Sequence, residues 1–214
     1  ENFESAIVPA LPNCTASQNV GTGNNWVTIN NPGSGFTSNT LKYGYNSSDA
    51  NAWFYTAGIN LVAGKSYLVS YDYGNRSTYA EKMKVAVGTS AVNTAMTTEL
   101  ANYPNIVGAA LQSANVTFTP SVSGVYYFGF NAYSIGGQWD LYLDNIKVEA
   151  ACPTGVWVGT TSDWNTASNW ADNMVPQACT NVTVNVAAPM IISSDVTVAK
   201  ITLGASAVVT VGST

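Results

Sequence analysis

The sequence predicts an all-β protein in which a β-sandwich is followed by a short second all-β module. Short runs of β-branched and aromatic residues are bounded by Gly, Asn, Ser and Pro throughout the chain. These runs recur at intervals of about 8 to 15 residues, as they do in β-sandwiches. No segment sustains the period of about 3.6 residues that a long helix requires.

Most of the predicted strands lie in the first 150 residues. The runs are 26–29, 52–61, 66–74, 82–89, 115–120, 124–134 and 139–150. Aromatic and small residues alternate in 66–74 and 124–134, which is typical of central strands that turn one face to a core. We also expect a short helix at 93–100, where the alternation is interrupted.

The last of these runs carries an irregularity. Its apolar residues Leu141, Leu143 and Ile146 change phase by one position around Asp144. A β-bulge would explain the change, and so would a carboxylate that turns toward a site.

A domain boundary is predicted at 149–155, between a first module (1–150) and a second module (151–214). Beyond it, a Trp-rich segment is followed by short, evenly spaced β-runs with little charge. This pattern is typical of a β-solenoid or of a small sandwich. The chain begins with Glu and stops within a β-run, so we expect a piece of a longer protein, with the second module opening a longer repeat region.

The composition argues against several functions. The chain has no His, only 7 basic residues and 12 acidic residues. Without His, serine and cysteine triads and most zinc sites are excluded, and a metal would be a hard cation bound by oxygen. The scattered basic residues predict no nucleic-acid partner, and no apolar run reaches the roughly 20 residues that a membrane helix needs. The carboxylates stand in no recognisable catalytic arrangement, so we expect no enzyme.

Three cysteines permit one disulfide. Cys152 and Cys179 bracket the Trp-rich segment, so we predict that they pair and that Cys14 is free or bonded outside the fragment. The alternative is three unpaired buried thiols.

The first module resembles the cleaved-adhesin and choice-of-anchor jelly rolls of Bacteroidetes surface proteins, including the adhesin domains that accompany gingipain proteases. Four passages carry the resemblance: NFES (2–5) with LPNC (11–14), NNW (24–26), the run 51–74, and SGVYYFGFNAYS with LYLDNIKVE (123–149). They occur in the family's order over about 150 residues.

This resemblance implies a structural Ca²⁺ ion that joins the first and last strands. Its ligands would be Glu4, Asn51 and Asp144 together with backbone carbonyls. The alternative is that Asp144 accepts backbone amides at a turn. The segment before NNW lacks the carboxylates that the family often carries there, which argues against a second calcium site.

The second module resembles a Trp-rich repeat found in the same class of secreted proteins. The match covers WVG, SDWNTASNW, VP, a Cys and a TNVTV strand, from 152 to about 186. Proteins with either module use the type IX secretion route, so the resemblance implies a secreted protein on the outer cell surface. Trp164 and Trp170 are expected to form a miniature core, with a sugar-stacking platform as the alternative.

Aromatic and polar residues near loops are the candidate ligand contacts. They are Arg76, Tyr79, Tyr133, Gln138 and Trp139. Exposed rings stack on the C–H faces of sugars while polar neighbours bind hydroxyl groups. Packing at the rim of the core is the alternative for each residue.

Together, these observations predict a non-catalytic, calcium-stabilised adhesin fragment. It would bind glycan or protein on a host or neighbouring cell, without membrane insertion, or space other modules of the same chain. Two alternatives stay open: a carbohydrate-binding module of a secreted polysaccharide-degrading enzyme, and a structural segment of a surface filament or gliding adhesin.

Overall fold

The computed structural model describes residues 1–108 and 110–212. The chain forms two compact units, Glu1–Ala150 and Ala151–Thr214. No helix in the described ranges is long and apolar enough to cross a bilayer.

Strands are the main regular elements of both units. In chain order they are β1 (Ala16–Asn19), β2 (Trp26–Asn30), β3 (Asn39–Tyr43), β4 (Ala52–Tyr55), β5 (Ile59–Leu61), β6 (Tyr67–Asn75), β7 (Glu81–Gly88), β8 (Thr98–Ile106), β9 (Gln112–Phe118), β10 (Gly124–Ala132), β11 (Leu141–Ala150), β12 (Asn181–Val184), β13 (Met190–Ile192), β14 (Lys200–Leu203) and β15 (Val209–Val211).

The first unit is a sandwich of two antiparallel sheets. One sheet has the order β1-β4-β10-β7-β8, with β5 also paired to β10, and we call it sheet A. The other has the order β2-β3-β11-β6-β9 and is called sheet B. Neighbours in each sheet are mostly distant in sequence, so the order of the strands depends on long-range pairing.

Alternation along the strands builds the core between the sheets. In β10, Phe128, Phe130 and Ala132 are fully buried in the core, and in β11 Leu141 and Leu143 face it from sheet B. Residues between these positions turn to the outer faces, because successive side chains of a strand point to opposite sides.

A β-bulge interrupts β11 and explains the change of phase seen in the sequence. Pairing with β6 shifts register between Asp144 and Lys147, and Asn145 has a positive φ of 51°. The bulge returns Ile146 to the core. Ile146 then donates its N–H to the carbonyl of Glu1 at 2.8 Å, and the N-terminal amino group donates to the carbonyl of Ile146. The start of the chain is thereby fixed to the last strand.

The prediction of a helix at 93–100 is wrong for most of that range. A single 3₁₀ turn spans Asn93–Ala95, and β8 begins at Thr98. Antiparallel pairing of β8 with β7 satisfies the backbone hydrogen-bonding groups from Thr98 onward. This tertiary pairing outweighs a weak local preference for helix.

The second unit is a parallel stack of short strands, which corresponds to the solenoid-like alternative. Strand β12 pairs with β14 and β13 pairs with β15, all in parallel register. Asn181 lies beside Lys200 and Met190 beside Val209, so both pairs are separated by the same 19 residues. A constant offset of this kind is the geometry of successive coils in a solenoid.

The Trp-rich segment lies against the first of these coils. Parallel bridges join Val156 to Thr183 and Asp163 to Ile191. Trp157, Trp164 and Trp170 are buried with Val182, Val184, Met190 and Ile192. The ring of Trp170 meets Trp157 at 5.0 Å and Trp164 at 4.9 Å, both edge to face. The tryptophans therefore form a core, and burial removes them from any sugar platform.

The predicted disulfide joins Cys152 to Cys179, with a Cα separation of 5.9 Å. It closes a loop with a sequence separation of 27 around the Trp-rich segment. Within the described residues, Cys14 is the free cysteine, and it is exposed.

Candidate functional site

Exposed aromatic rings gather where three loops of the first unit meet. Tyr45 follows β3, Tyr79 lies between β6 and β7, and Trp139 precedes β11. Their exposed fractions are 53%, 55% and 47%, respectively. We call these three rings, together with Arg76, the aromatic surface.

The ladder between β3 and β11 brings two of the rings together. Tyr43 pairs with Leu141, so Tyr45 and Trp139 occupy opposite positions just beyond the end of the ladder. Their ring centroids are 6.1 Å apart, with an interplanar angle of 53°. This spacing lies within the range of favourable aromatic pairs, and both rings stay about half exposed.

Asp140 organises the loops around this pair. Its Oδ1 accepts the N–H of Tyr45 at 3.0 Å and its Oδ2 accepts the hydroxyl of Tyr142 at 3.0 Å. The Nζ of Lys42 lies 3.6 Å from the same carboxylate. The carboxylate is thus engaged by three protein donors, and its bond to the backbone of Tyr45 joins the loop after β3 to the start of β11.

Buried Asn75 organises the loop that carries Arg76 and Tyr79. Its Nδ2 donates to the carbonyls of Ile106 at 2.9 Å and Tyr79 at 2.5 Å, while its Oδ1 accepts the N–H of Ser77. Such bonds replace backbone pairing in a turn and hold it in one conformation. The loop therefore presents its side chains from a fixed support.

Two open depressions adjoin the ring pair. One, of about 450 Å³, is lined by Arg76, Ser77, Thr78, Tyr79 and Trp139. The other, of about 420 Å³, is lined by Asn24, Asn25, Val27, Lys42, Gly44, Tyr45 and Asp140. Trp139 contributes to the first and Tyr45 to the second, so the pair stands between them.

The structure therefore groups three of the five predicted ligand contacts: Arg76, Tyr79 and Trp139. Tyr133 lies apart from them, because its hydroxyl donates to Asn102 of β8 and the Nζ of Lys84 lies 5.3 Å from its ring centroid. Gln138 is half-buried and lines neither depression.

Tyr45, Lys42 and Asp140 were not predicted as contacts. The only sequence signal for Tyr45 is an aromatic residue in the segment KYGYNSSD, which is rich in Gly, Asn and Ser. Its position opposite Trp139 depends on a register between strands nearly 100 residues apart, which the sequence does not reveal.

The predicted calcium ligands are only partly brought together. Asp144 is buried on the outer side of β11, directly opposite Asp72 of β6. Its oxygens accept the N–H of Asn145 at 2.7 Å and the hydroxyl of Thr40 at 3.4 Å. Burial, and to a lesser extent the negative charges of Asp72 and Glu4, raises its pKa to about 6. Glu4 is three residues from Glu1, whose backbone is hydrogen-bonded to Ile146 beside the bulge.

Asn51 does not join this group. Ala52 and Phe54 face the core, so Asn51 belongs to the outer face of sheet A, on the opposite side of the sandwich from Asp144. Its Oδ1 accepts the Nδ2 of Asn131 at 2.9 Å. Among the described residues, no three or more His, Cys, Asp or Glu side chains are grouped to hold a metal. A calcium ion at Asp144 would need backbone carbonyls as most of its ligands.

Glu81, at the start of β7, is a second buried carboxyl. It is 1% exposed, its Oε2 accepts the hydroxyl of Ser134, and its Oε1 has no hydrogen-bond partner in the protein. Burial raises its pKa to about 7, and the charge of Asp140 adds to the increase. A carboxyl enclosed in this way does not reach a ligand in either depression.

Comparison with known proteins shows the fold of the first unit. No protein family and no curated protein sequence matches the chain. Among solved structures, the K1 cleaved adhesin domain of Lys-gingipain from Porphyromonas gingivalis is similar, with a TM-score of 0.57 and 16% identity over 71% of this chain and 96% of that domain. The K2 domain of the same protein has a TM-score of 0.56 and 14% identity over 71% and 97%.

The 71% of the chain that matches these domains corresponds in length to the first unit, Glu1–Ala150. Over that share, the chain has the β-sandwich fold of the gingipain cleaved adhesin domains, as the sequence motifs implied.

Proposed function

We propose that the chain is a non-catalytic surface adhesin that binds a glycan at the aromatic surface. The observation that carries the proposal is the set of rings at Tyr45, Tyr79 and Trp139, each about half exposed beside an open depression. Exposed aromatic rings that cluster beside a depression are typical of ligand-binding sites.

Sugars are the ligand class that this surface fits best. A pyranose ring stacks its C–H face on an aromatic ring, and its hydroxyl groups need amides, carboxylates and ammonium groups at the edge. Asn25 and Lys42 line the depression next to Tyr45 and supply an amide and an ammonium group, while Asn24 and Asp140 line it with side chains that are hydrogen-bonded within the protein. The loops are fixed by hydrogen bonds before a ligand arrives, which lowers the entropy cost of binding.

The proposal includes no catalysis. Glu81 and Asp144, whose raised pKa values would suit a general acid, are buried away from both depressions. Asp140 is engaged by Lys42, Tyr45 and Tyr142. A glycosidase needs two carboxyl groups that face the substrate across a cleft.

We place the protein outside the cell, at the outer surface, exported by the type IX route. The Cys152–Cys179 disulfide supports an oxidising compartment. The partner would be a glycan or a glycosylated surface protein of a host or neighbouring cell, with the second unit connecting to other modules of the same chain. A carbohydrate-binding module of a secreted polysaccharide-degrading enzyme would use the same surface and is the second candidate.

A structural Ca²⁺ ion remains part of the proposal. Buried Asp144, with Asp72 opposite and the start of the chain hydrogen-bonded to Ile146 beside it, is a place where a cation would relieve repulsion. Glu4 and Asp144 would hold the ion between the first and last segments of the sandwich, and Asn51 is withdrawn from the ligand set.

The test is binding of the full 214-residue chain to a glycan array. We expect concentration-dependent binding that Trp139→Ala and Tyr79→Ala abolish. Tyr133→Ala is the matched control, because Tyr133 packs on Lys84 and Asn102 outside the aromatic surface. Circular dichroism verifies that each variant is folded. Failure of the wild type to bind any glycan, or equal loss of binding in the control, would refute the proposal.

A further inference from the structure

Arg76 is the one member of the aromatic surface that carries a charge. Its side chain is exposed and lines the same depression as Tyr79 and Trp139. In residues 1–108 and 110–212, the salt bridges are Lys42–Asp140, Lys84–Glu99 and Lys147–Glu149, and none includes Arg76.

Asp140, next to Trp139 in the chain, forms no salt bridge with Arg76. Asp140 is paired with Lys42 and accepts the hydroxyl of Tyr142. A guanidinium group has five N–H donors. Arg76 lines a depression whose lining residues include no carboxylate.

The local charge is opposite to that of the whole protein. The chain carries a net charge of -5, yet the depression is lined by one arginine and no acidic residue. A planar guanidinium binds carboxylate or sulfate oxygens through two parallel hydrogen bonds, which gives both affinity and orientation. Two exposed rings beside it supply stacking faces for the sugar that bears the anion.

We propose that the depression formed by Arg76, Tyr79 and Trp139 selects a glycan with an anionic substituent, a carboxylate or a sulfate, on the stacked sugar. The inference rests on the proposed function and deepens it. Arg76 binds the anionic group, Trp139 and Tyr79 bind the ring faces, and a neutral sugar of the same shape leaves the guanidinium without its partner.

The experiment measures binding of the full chain to matched pairs of oligosaccharides by calorimetry. Oligogalacturonate and its methyl ester differ in the charge of the carboxylate, and sulfated and desulfated carrageenan oligosaccharides differ in sulfate. We expect the charged member of at least one pair to bind about tenfold or more tightly than its neutral counterpart, as one charge-assisted hydrogen-bond pair predicts. The pair that responds identifies the anion.

Variants assign the effect to Arg76. Arg76→Gln removes the charge and is expected to abolish the preference for the anionic member while weak binding persists. Lys84→Gln is the matched control, because Lys84 is a half-exposed cation that is paired with Glu99 away from this depression. It should leave the preference unchanged.

The outcomes separate the two proposals. Equal binding of both members, unaffected by Arg76→Gln but lost in Trp139→Ala, would overturn the anion inference and leave glycan binding intact. Absence of binding to every saccharide would overturn the proposed function itself. Binding of poly-glutamate as tight as that of the anionic saccharides would overturn the assignment to a sugar.

Discussion

Asp144 lies directly opposite Asp72 in the ladder between β11 and β6. Like charges at directly opposed positions destabilise an antiparallel pair. Asn145, at the bulge, bridges them by donating its N–H to Asp144 and its Nδ2 to Asp72 at 2.8 Å. The bulge therefore partly offsets a repulsion that the pairing of these strands creates.

Replacing Asp144 with Asn should separate the effect of the charge from that of calcium. In EDTA at pH 7.5, we expect Asp144→Asn to unfold at a higher temperature than the wild type, because the repulsion is removed. With added Ca²⁺, only the wild type should gain stability. Thermal melts by circular dichroism measure both effects. Glu149→Gln, on the exposed end of the same strand, is the control, and equal melting of the wild type in EDTA and Ca²⁺ would refute the calcium site.

Glu81 predicts how stability depends on pH. Its pKa rises from 4.5 in the unfolded chain to about 7 in the folded protein. The unfolded state therefore loses its proton first, and stability falls as the pH rises from 4.5 to 7 and is level above that. A shift of this size corresponds to about 3 kcal/mol for a buried group. Asp144, whose pKa is raised to about 6, adds a further loss of stability as the pH rises, over a lower pH range than Glu81.

Glu81→Gln should remove most of this dependence. We expect the variant to be more stable than the wild type at pH 8 and similar to it at pH 4, as measured by urea unfolding at several pH values. Glu99→Gln, which alters an exposed pair with Lys84, is the control. If the stability of Glu81→Gln varied with pH in the same way as that of the wild type, Glu81 would not be the source of the pH dependence.

Trp170 should be essential to the second unit, because it contacts both other buried tryptophan rings and donates its Nε1–H to the carbonyl of Trp164 at 2.9 Å. We expect Trp170→Ala to lower the free energy of unfolding of the second unit by about 3 to 5 kcal/mol. Hydrogen exchange at Val182 and Val184 would show the loss of protection. Trp139→Ala truncates an exposed ring and should leave these amides protected. Unchanged protection in Trp170→Ala would show that the rings are dispensable.

The disulfide should stabilise the same unit. A bond that closes a loop of this length contributes about 3 to 4 kcal/mol by the chain-entropy estimate. We expect the double variant Cys152→Ser, Cys179→Ser to lower the urea concentration at which the second unit unfolds. Hydrogen exchange of the amides in β12 and β13 measures this unfolding. Cys14→Ser is the control, because Cys14 is exposed and lies in the first unit. An equal effect of the control would contradict this role.

Local patterns in the sequence determined the class of fold, the division near residue 150 and the position of the bulge. Alternating residues specify which face of a strand is buried, and the phase change around Asp144 specifies where that alternation fails. The bracketing of the Trp-rich segment by Cys152 and Cys179 was enough to predict their bond. Short or polar strands such as β1 and β8 carried too little local signal to be predicted.

The tertiary structure alone decided which residues meet. Arg76 and Tyr79 lie beside Trp139 because the loop between β6 and β7 meets the segment that precedes β11. Tyr45 lies beside Trp139 because of the register between β3 and β11. Asn51 falls on the opposite outer face from Asp144 because β4 and β11 belong to different sheets. These relationships depend on strand order and register between residues far apart in the chain, and local side-chain periodicity contains no information about either.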